Sequence, residues 1–142
     1  MFVSVVLLFA GCTSFQAQVE EMLFPEQPVC KKIILKIYAG KNYSAAVYQD
    51  ALAALEITVI KTSGNTRTVV WNKTYETKQL AQYPALENAL PENIIISNIK
   101  NSREKVEVIY ALTYNTKGSM LQMYGDMLVA AKEQTGQLYI SL

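Results

Sequence analysis

The feature that most constrains the fold of this chain is a ten-residue run whose side chains alternate with a period of two. From Lys105 to Tyr114, every second residue is apolar or aromatic, and most residues between them are smaller or more polar. This period predicts a β-strand with one buried face and one face toward solvent. The residues of the predicted buried face are Val106, Val108, Tyr110, Leu112 and Tyr114.

Six further segments show the same period or an enrichment in β-branched residues. Ser63-Gly64-Asn65 separates two of them and predicts a hairpin turn. The last four strands follow one another through short polar turns, which favours an antiparallel meander. We therefore predict an all-β fold in a single domain over residues 30–142, an antiparallel β-sandwich of the immunoglobulin type or similar with about seven strands. The six segments are Lys32–Ala39, Leu55–Thr62, Arg67–Tyr75, Asn93–Ile99, Met120–Ala130 and Gln137–Leu142.

Two segments depart from the β pattern. Ser44–Leu55 is rich in alanine, and its larger side chains recur at helical spacing with Ser44 at the N-cap position. We predict one short helix around residues 45–55. Pro84–Leu90 predicts a helical turn, which Pro91 would end.

The N-terminus carries a separate signal. Phe2–Ala10 is an uncharged apolar run, too short to span a bilayer as a helix but of the length of a signal-peptide core. It overlaps Leu8-Phe9-Ala10-Gly11-Cys12, which resembles the lipobox of bacterial lipoproteins. The resemblance implies that residues 1–11 are a signal peptide and that Cys12 is lipidated and anchors the chain in a membrane. It also implies a place in the cell envelope, at the outer membrane facing the periplasm.

Residues 12–29 are predicted to be a flexible tether, because Pro25 and Pro28 interrupt regular structure. Lipidation of Cys12 leaves Cys30 without a disulfide partner, and Cys30 is interpreted as a small buried residue at the start of the first strand. The residues alone leave two alternatives open. The N-terminus could be an ordinary secretory signal peptide, with both cysteines free to pair, or residues 2–10 could form a buried first strand.

Histidine, the residue that most often carries acid–base catalysis, is missing from the sequence. This absence excludes Ser–His–Asp and Cys–His catalysis and nearly all zinc sites. None of the chain's six glycines forms a G-x-G phosphate motif, and its two aspartates, Asp50 and Asp126, are too far apart for a calcium loop. We expect no catalytic residue, no cofactor and no metal. The 13 basic and 12 acidic residues are intermixed, so nucleic acid is not an expected partner either.

Tyrosine is abundant, with nine residues. We expect Tyr110, Tyr114 and Tyr124 on one face of a hairpin, where their rings would form a stacking platform for a sugar ring or a peptide. Alternatively, these rings fill the core, as we expect of Trp71. Gly125-Asp126 interrupts its strand pattern and predicts a β-bulge.

Two functions fit these features. The first is a lipid-anchored, non-enzymatic binding, assembly or accessory domain, whose partner is an unidentified protein or small ligand. The second is an exported ligand-binding or adhesive domain that uses the tyrosine-rich strand face. An enzyme without histidine is the least favoured function.

The lipobox resemblance makes a direct prediction for Cys12. Metabolic labelling of cells with a palmitate analogue should mark the wild-type chain, because the Cys12 thiol would carry the lipid. The Cys12→Ala chain should lose the label, and the matched Cys30→Ala chain should keep it. Equal labelling of the wild-type and Cys12→Ala chains would contradict the lipoprotein assignment.

Overall fold

Strands make up most of the chain in the computed structural model, which describes residues 25–142. The predicted signal peptide, Cys12 and most of the predicted tether lie outside the described residues. The strands are β1 (Val29–Tyr38), β2 (Leu52–Ser63), β3 (Thr66–Thr74), β4 (Lys78–Gln79), β5 (Leu90–Ile99), β6 (Glu104–Thr116), β7 (Ser119–Val129) and β8 (Thr135–Ser141).

The strands form two sheets that pack face to face. The first sheet has the order β5-β1-β8, and the second has the order β3-β2-β6-β7, with β4 pairing beside the start of β2. The predicted all-β sandwich is confirmed. The connections contain three short 3-10 turns: Ala46–Tyr48, Leu80–Gln82 and Leu86–Asn88. The last of these is the turn predicted within Pro84–Leu90.

The predicted meander of the last four strands is wrong. Only β6 and β7 pair with each other, because β5 and β8 lie on either side of β1 in the first sheet. The pairing of β8 with β1 is parallel, whereas every other pair is antiparallel. A hairpin signal describes neighbours in sequence, and it says nothing about a strand that crosses to the other sheet.

A buried lysine fixes the connection between β7 and β8, one of several through which the chain passes from one sheet to the other. Lys31, at the start of β1, is 1% exposed. Its Nζ donates to the carbonyl oxygens of Ala130, Ala131 and Glu133, each at 2.9 Å. An ammonium has three protons to donate, and this carbonyl set accepts all of them. The connection between β7 and β8 is thereby fixed against β1.

The core lies between the inner faces of the two sheets, and alternate residues of β1, β2 and β6 supply much of it, whereas β3 and β4 contribute no fully buried residue. Trp71 packs against this core, as expected. The largest contributions come from β1, β2, β5 and β6, through Ile33, Leu35, Ile37, Leu55, Ile57, Val59, Ile94, Ile96, Val106, Val108 and Leu112.

The helix predicted around residues 45–55 is wrong. Only Ala46–Tyr48 makes a turn, and β2 already begins at Leu52. Ser44 caps no helix, and its N–H binds the side-chain oxygen of Asn42 at 2.9 Å. The reason is tertiary: β6 pairs with every residue of β2. Sheet pairing and burial outweigh the weak helix propensity of a short alanine-rich segment.

The chain reaches β1 along the loop between β5 and β6. The Glu26 carboxylate accepts hydrogen bonds from both the N–H and the hydroxyl of Ser102, the former at 3.1 Å. Cys30 is exposed, not buried as predicted, and its Sγ lies 3.8 Å from Ser97 Oγ. It lies between two residues of β1 where the register with β5 shifts. The alternation that buries Lys31 places Cys30 on the outer face.

No bulge occurs at Gly125-Asp126, because the register between β6 and β7 is unbroken along the whole hairpin. Gly125 instead provides space. It lies directly opposite Tyr110, and a Cβ at this position would lie 2.3 Å from Cζ of the Tyr110 ring. The glycine therefore allows the ring to lie across β7.

Gly125→Ala should destabilise the fold by about 1–3 kcal/mol, because the new methyl group must displace the Tyr110 ring. Urea unfolding would measure this. In a Tyr110→Ala background, the same substitution should cost less than about 0.5 kcal/mol, since the clash is gone. Equal costs in both backgrounds would show that Gly125 does not act through the Tyr110 ring.

Candidate functional site

The two ends of the sandwich present different surfaces. The proximal end consists of residues 25–29, the β2–β3 hairpin and the loop around Ser102. The distal end consists of the β1–β2 connection (residues 39–51), the segment 80–89 and the β6–β7 hairpin. Strand β1 runs from the proximal to the distal end, and its ten residues separate them by about 33 Å.

A cleft of about 350 Å³ opens at the distal end. Its walls come from the β1–β2 connection, the start of the 80–89 segment and the β6–β7 hairpin, so three separate parts of the chain build it. Three tyrosine rings and three aliphatic or thioether side chains provide most of the lining. These residues are Tyr43, Tyr48, Tyr114, Leu80, Met120 and Leu121.

Tyr43 and Tyr48 form an aromatic corner in the cleft. Their ring centroids are 5.1 Å apart with an interplanar angle of 88°, the edge-to-face arrangement that aromatic pairs prefer. The Lys41 Nζ donates to the Tyr48 hydroxyl at 2.7 Å and lies 5.3 Å from the centroid of the Tyr43 ring. The hydrogen bond to Tyr48 raises the pKa of Lys41 above its usual value. The corner therefore presents two rings and one ammonium.

The Tyr43 side chain is fixed by a hydrogen bond to Leu142, the residue that follows β8. Its hydroxyl donates to the carbonyl oxygen of Leu142 at 2.8 Å. The same oxygen accepts the N–H of Gly40 at 2.9 Å. A Cβ at Gly40 would lie 2.2 Å from the Ser141 hydroxyl oxygen and 3.2 Å from the Leu142 oxygen, so a larger residue would have to displace the Ser141 side chain. The cleft floor is thus built on the contact between the β1–β2 connection and the residues after β8.

Tyr114 connects the cleft with the interior. It lies on the inner face of β6, opposite Ala53 of β2 and Leu121 of β7. Burial raises the pKa of Tyr114 to about 12. Burial also raises the pKa of Tyr83, whose buried hydroxyl has no hydrogen-bond partner among the described residues. Burial therefore favours the neutral phenols of Tyr114, which lines the cleft, and of Tyr83, which does not.

Two further depressions adjoin the cleft. One of about 560 Å³ shares Lys41, Tyr43 and Leu80 with it and extends toward Glu87. The other, of about 450 Å³, shares Tyr48 with it and lies on the opposite side of the aromatic corner. The distal end is therefore concave over an area larger than the cleft itself.

The three tyrosines predicted to form one platform are not brought together. Tyr110 and Tyr114 lie on the inner face of β6, and only Tyr114 lines the cleft. Tyr124 pairs with Ala111, so its side chain is on the opposite face of the sheet, where it is 71% exposed. The prediction that Tyr124 shares a face with Tyr110 and Tyr114 is therefore wrong. The reason is the register, which places Gly125 rather than Tyr124 opposite Tyr110.

Sequence reasoning missed Lys41 and Tyr43 and assigned Tyr48 to a helix stripe. A usable signal was present in Gly40-Lys41-Asn42-Tyr43. The alternation of β1 ends before Gly40, and Lys41 and Tyr43 follow as large side chains outside any strand. Aromatic residues in a connection between strands cannot fill a regular sheet face. They are therefore candidates for a binding surface.

A cluster of three polar side chains joins the two sheets away from the cleft. Glu92 of β5 accepts a hydrogen bond from the Tyr75 hydroxyl at 2.8 Å and pairs with the ammonium of Lys73 on β3. Burial raises the pKa of Glu92, but the bonds from Lys73 and Tyr75 outweigh it, so that pKa lies below the usual value. Burial, followed by the bond to Glu92, raises the pKa of Tyr75. These three groups satisfy one another, as expected of a structural tie.

Two further findings concern residues 25–142. No group of three or more acidic or cysteine side chains there could hold a metal ion. That part of the chain also has no helix long and apolar enough to cross a membrane.

Comparisons with known proteins add no family to this description. No family model, curated protein or solved structure matches this chain significantly.

The raised pKa of Tyr114 predicts a change in stability at high pH. Its folded pKa of about 12 exceeds its usual value of 10.0, so the stabilisation is complete below pH 10 and is lost as the pH rises toward 12. Tyr114→Phe removes the ionising group. Its free energy of unfolding should therefore fall less steeply across this window than that of the wild type.

Urea unfolding on both sides of pH 10 would measure the two slopes. The matched control is Tyr124→Phe, which removes an exposed phenol and should behave as the wild type does. Tyr75 and Tyr83 act in the same direction and remain in both chains. Equal slopes for the Tyr114→Phe and wild-type chains would contradict the buried placement of this hydroxyl.

Proposed function

We propose that this chain is a lipid-anchored, non-enzymatic binding domain of the bacterial cell envelope, attached through Cys12 at the outer membrane and facing the periplasm. It binds a short apolar peptide segment of a partner protein in the distal cleft. The lipobox resemblance at residues 8–12 supports the anchor. The aromatic corner of Tyr43 and Tyr48 supports the binding role.

The observation that carries this proposal is the separation of the cleft from the attachment point. The described chain begins at Pro25, and Glu26 is bonded to Ser102 at the proximal end. The cleft is at the distal end, about 33 Å away along β1. An anchor that leads to the proximal end leaves the distal end free to meet a partner.

The cleft lining favours a peptide over a sugar. Leu80, Met120 and Leu121 form one wall, and Met120 and Leu121 are 70% and 58% exposed, available for an apolar contact. A sugar site needs several convergent polar groups to satisfy the ring hydroxyls. Here the charged donor is Lys41, whose ammonium suits a carbonyl or carboxylate next to an apolar side chain. The methionine is adaptable and tolerates different side chains at this position.

A non-enzymatic role is supported by the chemistry of the side chains. The chain has no histidine, the commonest general acid and base. The carboxylate–phenol–ammonium cluster of Glu92, Tyr75 and Lys73 joins the two sheets. In the cleft, Lys41 and Tyr48 are bonded to each other, and the pKa of Lys41 is raised. A raised pKa keeps the lysine protonated and unsuited to act as a base.

Binding of the purified full-length chain to a random-peptide array and a glycan array tests the proposal. Peptides rich in apolar residues should bind, and Tyr48→Ala combined with Met120→Ala should weaken that binding about tenfold or more, ~1.4 kcal/mol. Both side chains line the cleft; Met120 is 70% exposed, and Tyr48 packs only partly buried against the core, so circular dichroism and urea unfolding of the double variant accompany the binding measurement. The matched control is Ile95→Ala, which removes an equally exposed apolar side chain, 71% exposed, on the outer face of the first sheet.

The outcomes separate the candidate functions. Peptide binding that the double variant loses and Ile95→Ala retains supports the cleft. Glycan binding lost in the same variant would replace the peptide with a sugar. Binding unchanged in the double variant would overturn the cleft as the site.

A further inference from the structure

Strand β7 is an open edge of the second sheet. Its eleven residues pair with β6 on one side, and no described residue pairs with the other side. Large apolar or aromatic side chains are exposed on both of its faces. They are Met120, Leu121, Met123, Tyr124 and Leu128.

This edge lacks the features that usually keep sheets from pairing with one another. Such edges are blunted by lysine, proline, a bulge or short length. The sequence of β7 contains no lysine, arginine or proline, and its register with β6 is regular. The other described edges differ. Strand β3 carries Arg67 and Lys73 and an irregular register, β5 begins with Leu90-Pro91-Glu92, and β8 has only seven residues.

The side chains of β7 are complementary to those of a second β7 placed antiparallel to it. With Tyr124 of each strand opposite the other, the large apolar side chains at 120, 121, 127 and 128 face one another, and of the polar residues only Ser119, at the end of the strand, faces an apolar residue, Val129. The strand's only charged side chain, Asp126, meets an amide, so no like charges face each other. The facing pairs are Met120 with Leu128, Leu121 with Met127, Gln122 with Asp126, and Met123 with Gly125.

Neighbouring registers lose this complementarity. With the axis at Met123, Asp126 would face Met120. With the axis at Gly125, Gln122 would face Leu128. Each of these registers places a polar side chain opposite a large apolar one. The register about Tyr124 has its polar–apolar pair, Ser119 with Val129, at the end of the strand, whereas these registers place theirs within the strand.

We propose that β7 pairs with β7 of a second copy of this chain, antiparallel and about a twofold axis at Tyr124. The pairing joins two five-stranded sheets into one continuous sheet and satisfies the open backbone groups of both edges. It also makes an isologous interface, because the same residues contribute from each copy. This proposal does not depend on the ligand of the cleft.

Disulfide cross-linking of the full-length chain in cells tests the axis. In a Cys30→Ser background, Tyr124→Cys should form covalent dimers on mild oxidation, since paired residues across a ladder meet the Cα spacing of a disulfide, about 4.4–6.8 Å. The matched control in the same strand is Met120→Cys. Its two copies would be eight residues apart along the ladder, about 27 Å, and should not cross-link.

A mixed experiment tests the register and does not depend on any one variant. Chains with Met120→Cys and Leu128→Cys, carrying tags of different size, should cross-link when co-expressed, with at least about fivefold more covalent dimer than either forms alone. In the proposed anchored chain the sulfur of Cys12 carries the lipid and forms no disulfide, and the Cys30→Ser chain without an introduced cysteine, oxidised in parallel, shows any Cys12–Cys12 link.

Cross-links in the Tyr124→Cys chain and in the mixed pair, with none in the Met120→Cys chain alone, support the paired edge. Equal dimer in all variants, or none in both the Tyr124→Cys chain and the mixed pair, would overturn it. A covalent product with a different protein would also overturn it, and would assign the edge to another partner. A disulfide within one Tyr124→Cys chain, between the introduced cysteine and residues 1–24, would also overturn the proposal.

Discussion

The fold depends on how one ammonium group is bound at the start of β1. Burying a charged group is costly unless hydrogen bonds replace the water it loses. For Lys31 the replacement is three backbone carbonyl oxygens of the connection between β7 and β8. Burial lowers the pKa of Lys31, and the nearby Glu133 opposes this change. The connection itself is exposed, but the bonds to Lys31 also give three of its carbonyl oxygens a donor.

This binding decides where β8 lies. The connection leaves β7 in the second sheet and must return to the first sheet, and the N–H of Lys32 binds the carbonyl of Gln134 at 2.7 Å just as β8 begins. From that point β8 runs parallel to β1 toward the distal end, where the carbonyl of Leu142 binds Tyr43 and Gly40. The cleft floor at one end of the molecule is thus positioned by a lysine at the other end. The two are joined by the parallel ladder, which the hydrophobic core holds in register.

The sequence predicts a feature when the interactions that form it are local in the chain, and it misses a feature that depends on distant segments. The alternation in Lys105–Tyr114 is a local property, and it correctly predicts the β6 strand and its buried face. The start of β2 was missed because its helix-like spacing is local, whereas its pairing with β6 is not. The side on which Tyr124 lies depends on a register set between two strands, and a shift of one residue reverses it. The cleft was harder still, since Lys41, Leu80 and Met120 come from three distant parts of the chain, two connections and the start of β7, that meet only after folding.

The proposed anchor and the proposed edge pairing constrain each other. An antiparallel β7 pair places the proximal ends of the two copies at opposite ends of the shared sheet, so both cannot be attached to one membrane with their strands upright. Thirteen chain steps separate Cys12 from Pro25 and reach at most about 43 Å when extended. This reach suffices if the strands lie along the membrane surface, with one tether descending at each end. In that orientation both distal clefts open sideways, parallel to the membrane. A partner would then be met within the layer next to the bilayer, and the envelope protein that supplies the peptide should present it close to the same surface.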